Sequence, residues 1–410
     1  MNPSKKADAP RYTIRTLESV AELPREQWDA LVEDESPFLS HAFLSLLDAT
    51  GCTGESAGWY PLILAAYRSE DTAHEELVGA APMYIKTNSE GEFIFDWSWA
   101  DAAYRAGIDY YPKGLVAIPF SPVSARKLLT RGTLPEHDRE AIRKGLILAT
   151  LQLAQHHDLS SLHYNFLQPD EIASFEEFPT ALRYTMQYHW YNRKSSDEDD
   201  PNFHLHYDDF DDFLSRFRSK RRANIRRERR KLREQGVRTR VLQGADITDE
   251  IMERMFGFYL HTVHKFFYGR QYLTHDLFMA LPEALGDHLH LVIAEDEATG
   301  HIFGGALNLY KDDRLYGRYW GSEESFDFAH FEVCMYTPIE WCIEQGVAVF
   351  EPGAGGEHKY ERGFEPTTML SMHYMRDPRL AHGVEMFLEQ ERHARQEHIA
   401  QLQRDNPFKS

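Results

Sequence analysis

The sequence has 410 residues, with 45 Lys and Arg against 65 Asp and Glu and a formal net charge of −20. Domains average about 100–200 residues, so this length predicts two domains that each close a core. Three cysteines without a Cys-x-x-Cys pair exclude a paired disulfide framework. No apolar run of about 18 residues and no apolar signal core occurs, so we expect a cytoplasmic protein without a transmembrane segment.

In the first half, the hydrophobic patterns predict strands mixed with helices. The predicted strands are 11–16, 62–67, 77–85, 92–99, 162–166 and 184–191. The predicted helices are 25–32, 41–49 with Ser40 as its N-cap, and 138–157. An acidic stretch without apolar residues then predicts a linker at 194–203, so the expected domains are 1–193 and 204–410.

The second half alternates helices and strands in a similar way. Helices are predicted at 209–236, 250–267 and 331–345, the last kinked at Pro338, and after Pro378. Strands are predicted at 289–294, 303–310, 314–319, 347–350 and 369–375. Strands mixed with helices in this order predict an α/β or α+β fold with a mixed sheet.

The helix at 209–236 carries the largest concentration of charge. The 25 residues from Arg216 to Arg240 hold 13 bases and only two acids, which leaves a net charge of −31 on the rest of the chain. Phosphate in a carrier, in RNA or on an anionic membrane face is the natural complement, and a protruding, solvated arm is the alternative. The bases assigned to this anionic partner are Arg221, Arg222, Arg226, Arg229 and Arg230.

A weak internal repeat links the two halves. LILA at 62–65 followed by VGAAPMYIK at 78–86 resembles LVIA at 291–294 followed by FGGALNLYK at 303–311. We infer two related domains, with chance similarity of apolar strands as the alternative.

Four segments carry a resemblance to a known family: PFLSHAFL at 37–44, FDWSWADAAYRAG at 95–107, HFEVCMY at 330–336 and FEPGAGGEHKYERGF at 350–364. They resemble the FemAB-like proteins of peptidoglycan biosynthesis or recognition, within the GNAT superfamily. The resemblance implies two tandem GNAT-like domains, each a mixed, mainly antiparallel sheet flanked by helices, and acyl transfer to an amine. The related Fem peptidyltransferases attach amino acids from aminoacyl-tRNA to a nucleotide-linked or lipid-linked peptidoglycan precursor.

The resemblance also implies where the acyl donor binds. The second Fem domain carries a Lys-x-x-Gly-Phe type segment after a strand and a Gly-containing loop, and Lys359, Arg362, Gly363 and Phe364 stand at the matching place. The pyrophosphate loop of ordinary acetyl-CoA enzymes is missing, which puts acetyl-CoA in doubt. No bound cofactor is required, and acyl-CoA or aminoacyl-tRNA would serve as co-substrate.

Acyl transfer needs a proton acceptor, oxyanion donors and groups that hold a phosphorylated carrier. The residues predicted to bind the donor are Gly353, Gly355, Gly356, Lys359, Arg362 and Arg318. The candidate proton acceptors are Glu332, His330 and Glu357. The alternative is a tight turn with a solvated charge pair, and a helix start that an acid stabilises through the helix dipole.

The acceptor is expected on the first domain, where polar residues follow the predicted strand 92–99. The predicted acceptor-binding residues are Asp96, Trp97, Asp101, Arg105, Tyr111 and Lys113, with ordinary loop packing as the alternative. None of the 21 histidines falls in a closed zinc spacing, so no metal is expected.

These features lead to an N-acyltransferase as the first hypothesis, with a peptidoglycan precursor as acceptor. The rivals are a non-catalytic module that recognises a cell-wall precursor or RNA, and an acetyl-CoA-dependent acetyltransferase of small amines.

Overall fold

The computed structural model describes residues 12–33, 35–71, 74–265, 269–404 and 406–409. The strands of the first half are β1 (Tyr12–Leu17), β2 (Trp59–Pro61), β3 (Ile63–Asp71), β4 (His74–Ala81), β5 (Met83–Lys86), β6 (Lys113–Val116), β7 (Leu129–Thr130), β8 (Ser161–Leu167) and β9 (Ala181–Tyr191). Its helices are α1 (Arg25–Val32), α2 (His41–Ala49), α3 (Trp97–Arg105) and α4 (Glu136–His156). Ser40 caps α2 as predicted, since its hydroxyl accepts the N–H of Phe43 at 3.2 Å.

The strands of the second half are β10 (Val237–Leu242), β11 (Leu289–Asp296), β12 (Ile302–Lys311), β13 (Arg314–Ser322), β14 (Val349–Glu351) and β15 (Glu365–Met375). Its helices are α5 (Phe210–Ser215), α6 (Ser219–Glu234), α7 (Asp249–Lys265), α8 (His275–Leu285), α9 (Ala329–Phe331), α10 (Thr337–Gln345) and α11 (Pro378–Arg404). A π-helical turn, Glu332–Tyr336, joins α9 to α10 just before Pro338. Among these helices, none combines the length and apolar composition that a bilayer-spanning segment requires. Arg11 and Phe267, which end two predicted elements, lie outside the described residues.

Two sheets organise the protein. A four-stranded sheet has the order β1-β3-β4-β7, and an eleven-stranded sheet has the order β10-β11-β12-β13-β14-β9-β15-β8-β6-β5-β2. The pairs β13–β14 and β6–β8 are parallel, and the other described pairs of the large sheet are antiparallel. The predicted fold class, a mixed and mainly antiparallel α/β arrangement, is confirmed.

The last strand of each half pairs with the other half. In both halves a parallel strand pair is joined by a helix, with α4 between β6 and β8, and α10 between β13 and β14. The strand β9 of the first half then pairs with β14, and β15 of the second half pairs with β8. Because β9 and β15 also pair with each other, hydrogen bonds cross the boundary predicted after residue 193.

The largest apolar core is shared by the two halves. Trp28 and Leu47 from α1 and α2 belong to the same buried cluster as Phe258 and Phe278 from α7 and α8. Burying a side chain of this size stabilises the fold by about 1.5–3 kcal/mol. The core therefore joins the two halves, in addition to the hydrogen bonds of the sheet.

The strand predicted at 92–99 is wrong, because α3 begins at Trp97. A turn precedes the helix, in which Gly91 and Phe93 have φ angles of 73° and 60°. Asp96 turns inward to Lys113, whereas Trp97 is 57% exposed. The alternating aromatics thus mark a turn and a helix start rather than a pleated strand.

The helix predicted at 209–236 is broken into α5 and α6, and its basic half does not protrude. Ile225 and Leu232 of α6 are buried in apolar clusters, and Glu228 between them is buried as well. Buried ion pairs complete the face of α6 that packs against the rest of the protein. Because charged residues do not belong to an apolar stripe, the sequence pattern alone predicted an unpacked helix.

Candidate functional site

A cavity opens where β13 and β14 separate. The two strands pair in parallel from Arg314 with Val349 to Tyr316 with Glu351, and the pairing ends there. Beyond this point lies a cavity of about 200 Å³. Its walls come from the end of β13, the loop 352–356 and the helical segment that starts at Ala329.

The glycine-rich loop requires its glycines. Gly353, Gly355 and Gly356 have φ angles of 83°, 75° and 87°, a region that other residues rarely adopt. The amide N–H groups of Ala354 and Gly355 find no acceptor in the described part of the chain. The three glycines thus shape a loop that leaves these two backbone N–H groups unpaired within the described residues.

Lys359 ties this loop to the following 3-10 turn. Its Nζ donates to the carbonyl oxygen of Gly353 at 2.8 Å, and burial lowers the pKa of Lys359 to about 8. The side chain lines the cavity, where the sequence had placed it.

Arg318 also lines the cavity, on β13. Its guanidinium lies over the ring of Phe38 at 4.5 Å. The Nε and Nη2 atoms are buried and have no hydrogen-bond acceptor among the described residues. Burial lowers the pKa of Arg318 to about 10.

Of the three predicted proton acceptors, only His330 lines the cavity. Its ring lies 5.6 Å from the ring of Trp320 and 5.6 Å from that of His358. Burial, helped by the charges of Lys359 and Arg362, lowers the pKa of His330 to about 4, so the imidazole is neutral at pH 7. A neutral imidazole can accept a proton.

Glu332 points away from the cavity, contrary to the role predicted for it. Its carboxylate accepts from Arg229 of α6 at 2.7 Å and from the hydroxyl of Thr337 at 3.2 Å. Glu357 is exposed at the start of the 3-10 turn and is not among the cavity walls. The helix start brings His330 to the site and turns Glu332 to α6.

Arg362 is also engaged elsewhere. Its Nη2 lies 3.0 Å from both carboxylate oxygens of Glu228, and its guanidinium lies over Phe331 at 3.4 Å. Because this ion pair is buried, Arg362 holds α6 against the site and is not available to a donor, so the predicted donor contact is withdrawn for this residue.

The first half contains a buried ionic network at the predicted acceptor site. Lys113 Nζ donates to Glu92 at 2.8 Å, to Ser89 at 2.9 Å, and to Asp96. The Tyr110 hydroxyl donates to Asp96 at 2.6 Å. Because Asp96 and Lys113 are fully enclosed, they cannot contact an acceptor, and their predicted binding role is corrected to an internal one.

Burial and charge oppose each other in this network. Burial raises the pKa of Glu92 to about 7 despite Lys113, and lowers the pKa of Lys86 to about 7 despite Glu92. Burial also disfavours ionised Asp96, but Lys113 outweighs it and holds the pKa of Asp96 below its ordinary value. Lys113 and Asp96 therefore remain a charged pair at neutral pH.

The other predicted acceptor residues lie on different surfaces. Asp101 and Arg105 form an exposed pair at 2.7 Å on α3, and Tyr111 bonds Ser89 at 2.7 Å. Trp97 stacks on Phe95 with ring centres 4.7 Å apart. Both rings line a groove of about 740 Å³, which Tyr272 and Arg270 of the second half also line. Of the six predicted residues, Trp97 is the one that lines this groove.

Phe120 contacts a wall residue of this groove and a wall residue of the cavity. Tyr272 of the groove stacks on Phe120 with ring centres 5.1 Å apart. Tyr319 of the cavity donates its hydroxyl to the carbonyl oxygen of Phe120 at 3.4 Å. Phe120 therefore links the groove to the cavity through these two contacts.

The bases predicted to bind an anionic partner are mostly paired within the protein. The contacts are Arg221 with Glu361 at 2.8 Å, Arg226 with Asp211 at 2.7 Å, Arg229 with Glu332 at 2.7 Å, Arg230 with Glu234 at 3.4 Å, and Arg222 with the Ser215 carbonyl oxygen at 3.5 Å. Lys220, Arg227 and Lys231 are exposed on α6 and have no acidic partner in the described residues. Their spacing of seven and four places them on one stripe.

Sequence reasoning missed two residues at the cavity. Phe38 reaches Arg318 from the first half, and Cys334 forms a wall. The segment 37–44 was noticed as a motif, but no spacing rule connects it to a site more than 270 residues away. Burial raises the pKa of the Cys334 thiol, so this residue is a wall rather than a nucleophile. Among the described side chains, no three His, Cys, Asp or Glu residues converge on a common point where they would hold a metal.

The chain is similar to known proteins in sequence and in fold. The profile of one family, FemAB-like, described as peptidoglycan biosynthesis/recognition, matches residues 19–410. No curated protein matches the sequence significantly. Among solved structures, FemX is similar with a TM-score of 0.49 and 13% identity, over 88% of this chain and 98% of that chain. L-PGS from Bacillus licheniformis has a TM-score of 0.46 and 11% identity, over 84% and 93%. A tandem GNAT protein from the clavulanic acid biosynthesis pathway has a TM-score of 0.42 and 11% identity, over 90% and 99%.

Proposed function

This chain belongs to the FemAB-like family of peptidoglycan biosynthesis/recognition, and from that premise we propose that it is an N-acyltransferase. It transfers an acyl or aminoacyl group to the amine of a nucleotide-linked or lipid-linked peptidoglycan precursor. The observation that carries this proposal is the cavity between β13 and β14, which joins a neutral imidazole, two cations and free backbone donors.

The chemistry uses the residues of the cavity in three roles. The amine attacks the carbonyl carbon, a C–N bond forms, and the C–S or C–O bond to the carrier breaks. His330, which is neutral at pH 7 because burial lowers its pKa to about 4, takes the proton that the amine loses and returns it to the departing carrier. The N–H groups of Ala354 and Gly355 donate to the developing oxyanion, and Lys359 holds the loop that presents them.

The substrates approach from two sides. The acyl group enters the cavity, while its phosphorylated carrier, CoA or tRNA, stays outside because about 200 Å³ is too small for a nucleotide. The acceptor occupies the groove at Trp97, where stacked aromatic rings face Arg270 and Glu90. Phe120 contacts wall residues of both spaces, so we expect its side chain to respond when both substrates are bound.

We assign the unpaired stripe Lys220, Arg227 and Lys231 to the phosphate backbone of an RNA carrier. These three bases are about 10 Å and 6 Å apart along the helix axis. Their exposed neighbours Ala223 and Gln235 offer no large apolar side chain for insertion into a membrane interface, which favours RNA over a lipid surface.

A recognition module remains the second candidate, favoured by the missing pyrophosphate loop. It would bind the same precursor in the groove at Trp97 and transfer nothing. Product formation separates the two.

The test is mass spectrometry of products after incubation with a UDP-linked peptidoglycan precursor and, in turn, acetyl-CoA and total aminoacyl-tRNA. We expect a mass gain on the precursor with one donor, and a loss of about 100-fold or more in His330→Asn, typical of a removed general base. His301→Asn is the matched control, since His301 is exposed just before β12 and its Nε2 lies 3.7 Å from Glu324, away from the cavity walls. Binding of precursor without any product would replace the transferase by the recognition module.

A further inference from the structure

Arg318 forms no ion pair with a carboxylate among the described residues. Its Nε and Nη2 are buried without an acceptor, and the side chain faces the cavity. Glu351 favours the charged form of Arg318 from a distance, but its Oε1 binds Arg314 at 2.8 Å and its Oε2 makes no hydrogen bond in the described part of the chain. A buried guanidinium without a carboxylate partner is costly, and a bound anion would offset that cost.

The cavity adds a second cation and no acid. Lys359 faces the same space, and none of the described residues that line it is Asp or Glu. Because the Nζ of Lys359 already donates to two loop carbonyls, of Pro352 at 3.4 Å and Gly353 at 2.8 Å, the unpartnered guanidinium of Arg318 is the stronger site for an anion. The charge of the cavity therefore calls for a negative group on the ligand.

Size and wall chemistry restrict that group. The volume of about 200 Å³ is below the 300–1,000 Å³ typical of drug-sized ligands. Ala306, Trp320 and Met335 give the cavity apolar walls beside Arg318. A carboxylate on a short aliphatic stem satisfies both conditions, whereas a diphosphate would bring more charge than the two cations and would face apolar walls.

We propose that the acyl group transferred by this protein carries a free carboxylate, which binds Arg318 inside the cavity. The substrate class is thus a dicarboxylic acyl or acidic aminoacyl group on its carrier. In the reaction, the amine forms a C–N bond with the activated carbonyl, the bond to the carrier breaks, and the carrier leaves with one proton. The second carboxylate is unchanged and remains paired with Arg318. This inference rests on the proposed acyl transfer, and it adds which acyl groups are accepted.

Equilibrium binding tests the inference without turnover. The probes are succinamate, which has one carboxylate and one amide, and succinamide, which has the same shape but no charge. Ligand-observed NMR should show succinamate binding to the wild-type protein and succinamide binding about 100-fold more weakly or not at all, as expected for a lost buried charge pair. Arg318→Met should remove the difference between the probes, and Arg318→Lys should retain part of it.

The stability of the free variant separates a binding role from a structural one. Arg318→Met keeps the packing over Phe38 and removes an unbalanced charge, so we expect its melting temperature to equal or exceed that of the wild type. A lower melting temperature would assign Arg318 to the scaffold and overturn the inference. Equal binding of the two probes, or displacement of succinamate by an equal concentration of inorganic phosphate, would overturn it as well.

The outcomes for function and for this inference differ. If neutral acyl groups are transferred and succinamate does not bind, the acyltransferase stands and the carboxylate pocket falls. If succinamate binds through Arg318 and no donor gives a product, the pocket stands and the acyltransferase falls.

Discussion

The two parallel strand pairs, β6 with β8 and β13 with β14, occupy equivalent places in the two halves, yet the space beyond them differs. Beyond β6 the chain returns to β8, where the N–H of Ala125 donates to the carbonyl oxygen of Phe166 at 3.2 Å. Lys127 then fills the interior and donates to the carbonyl oxygens of Ala125 at 2.6 Å and Phe166 at 2.9 Å. Beyond β13 the chain leaves the cavity open.

Each space contains a buried lysine with a similar electrostatic state. Burial lowers the pKa of Lys127 to about 8, and burial lowers the pKa of Lys359 to about 8 as well. Lys127 has a third acceptor in Val123 at 3.3 Å and is fully buried, whereas Lys359 borders the cavity. A perturbed pKa therefore does not identify a functional lysine here, and the open space beside Lys359 does.

The largest expected effect would come from separating the halves. A chain of residues 1–193 lacks β15, which lies between β8 and β9, and lacks the half of the shared core that includes Phe258 and Phe278. We expect no cooperative thermal unfolding of this fragment in circular dichroism, in contrast to the whole chain. A cooperative transition in the fragment would show that the first half folds independently. Residue 193 would then mark a domain boundary.

The two lysines can be exchanged for methionine to sharpen the comparison. Lys127→Met leaves three buried carbonyls without their donor, so we expect the free energy of unfolding to fall by about 3 kcal/mol with acyl transfer retained. Lys359→Met should lose most of the activity. Its loss of stability should be smaller, because the loop that Lys359 holds borders the cavity. Urea unfolding and product assays on both variants measure the two effects.

Lys144→Met is the control for this pair, because Lys144 is half-buried and bonds Glu177 at 2.7 Å on the surface of α4. It should leave the free energy of unfolding unchanged and should change activity by no more than a few-fold. If Lys127→Met abolished activity while Lys359→Met abolished stability, the roles given to the two spaces would be reversed.

Much of this comparison was visible in the sequence, and some of it was not. The repeat around β3 and β11 and the position of Lys359 after a glycine loop followed from local patterns. The roles of Glu332 and Arg362 did not, because their partners Arg229 and Glu228 lie more than 100 residues away on α6. Local spacing predicts which face of an element a residue occupies, whereas the partner on the opposing element depends on the tertiary packing.

The pH dependence of activity should also distinguish the cavity beside Lys359 from the filled space around Lys127, with smaller changes in kcat/KM. His330 becomes protonated near pH 4 rather than near 6.5, so kcat/KM, calculated for the unprotonated form of the amine acceptor, should stay level on the acid side until pH approaches 4. Lys359 loses its charge near pH 8, so kcat/KM should decline above that pH. In Lys359→Arg the alkaline decline should move upward, whereas a decline that persists at pH 8 would assign it to another group.

The same His330 shift affects stability in the acid range. The unfolded chain binds a proton on His330 below its ordinary value near 6.5, whereas the folded protein binds it only near pH 4. The free energy of unfolding should therefore fall as pH decreases from about 6.5 to 4, and this part of the loss should be absent in His330→Asn. An identical acid profile in wild type and variant would place His330 in contact with water.

The smallest effect is expected at α6, where paired and unpaired bases can be compared on one helix. Replacing Lys220, Arg227 and Lys231 by Gln removes three exposed charges that have no acidic partner in the described chain. The slope of log K against log salt for fluorescent tRNA should then decrease by about two, because each phosphate contact contributes about 0.7–0.9.

The matched variant replaces Arg221, Arg226 and Arg230, whose charges are already neutralised by Glu361, Asp211 and Glu234. It should change the slope by less than one, because a base that must first leave an acid gains little from a phosphate. Equal slopes for both triple variants would mean that RNA binding depends only on the net charge of the helix. Binding to anionic vesicles but not to tRNA would assign the stripe to a lipid surface.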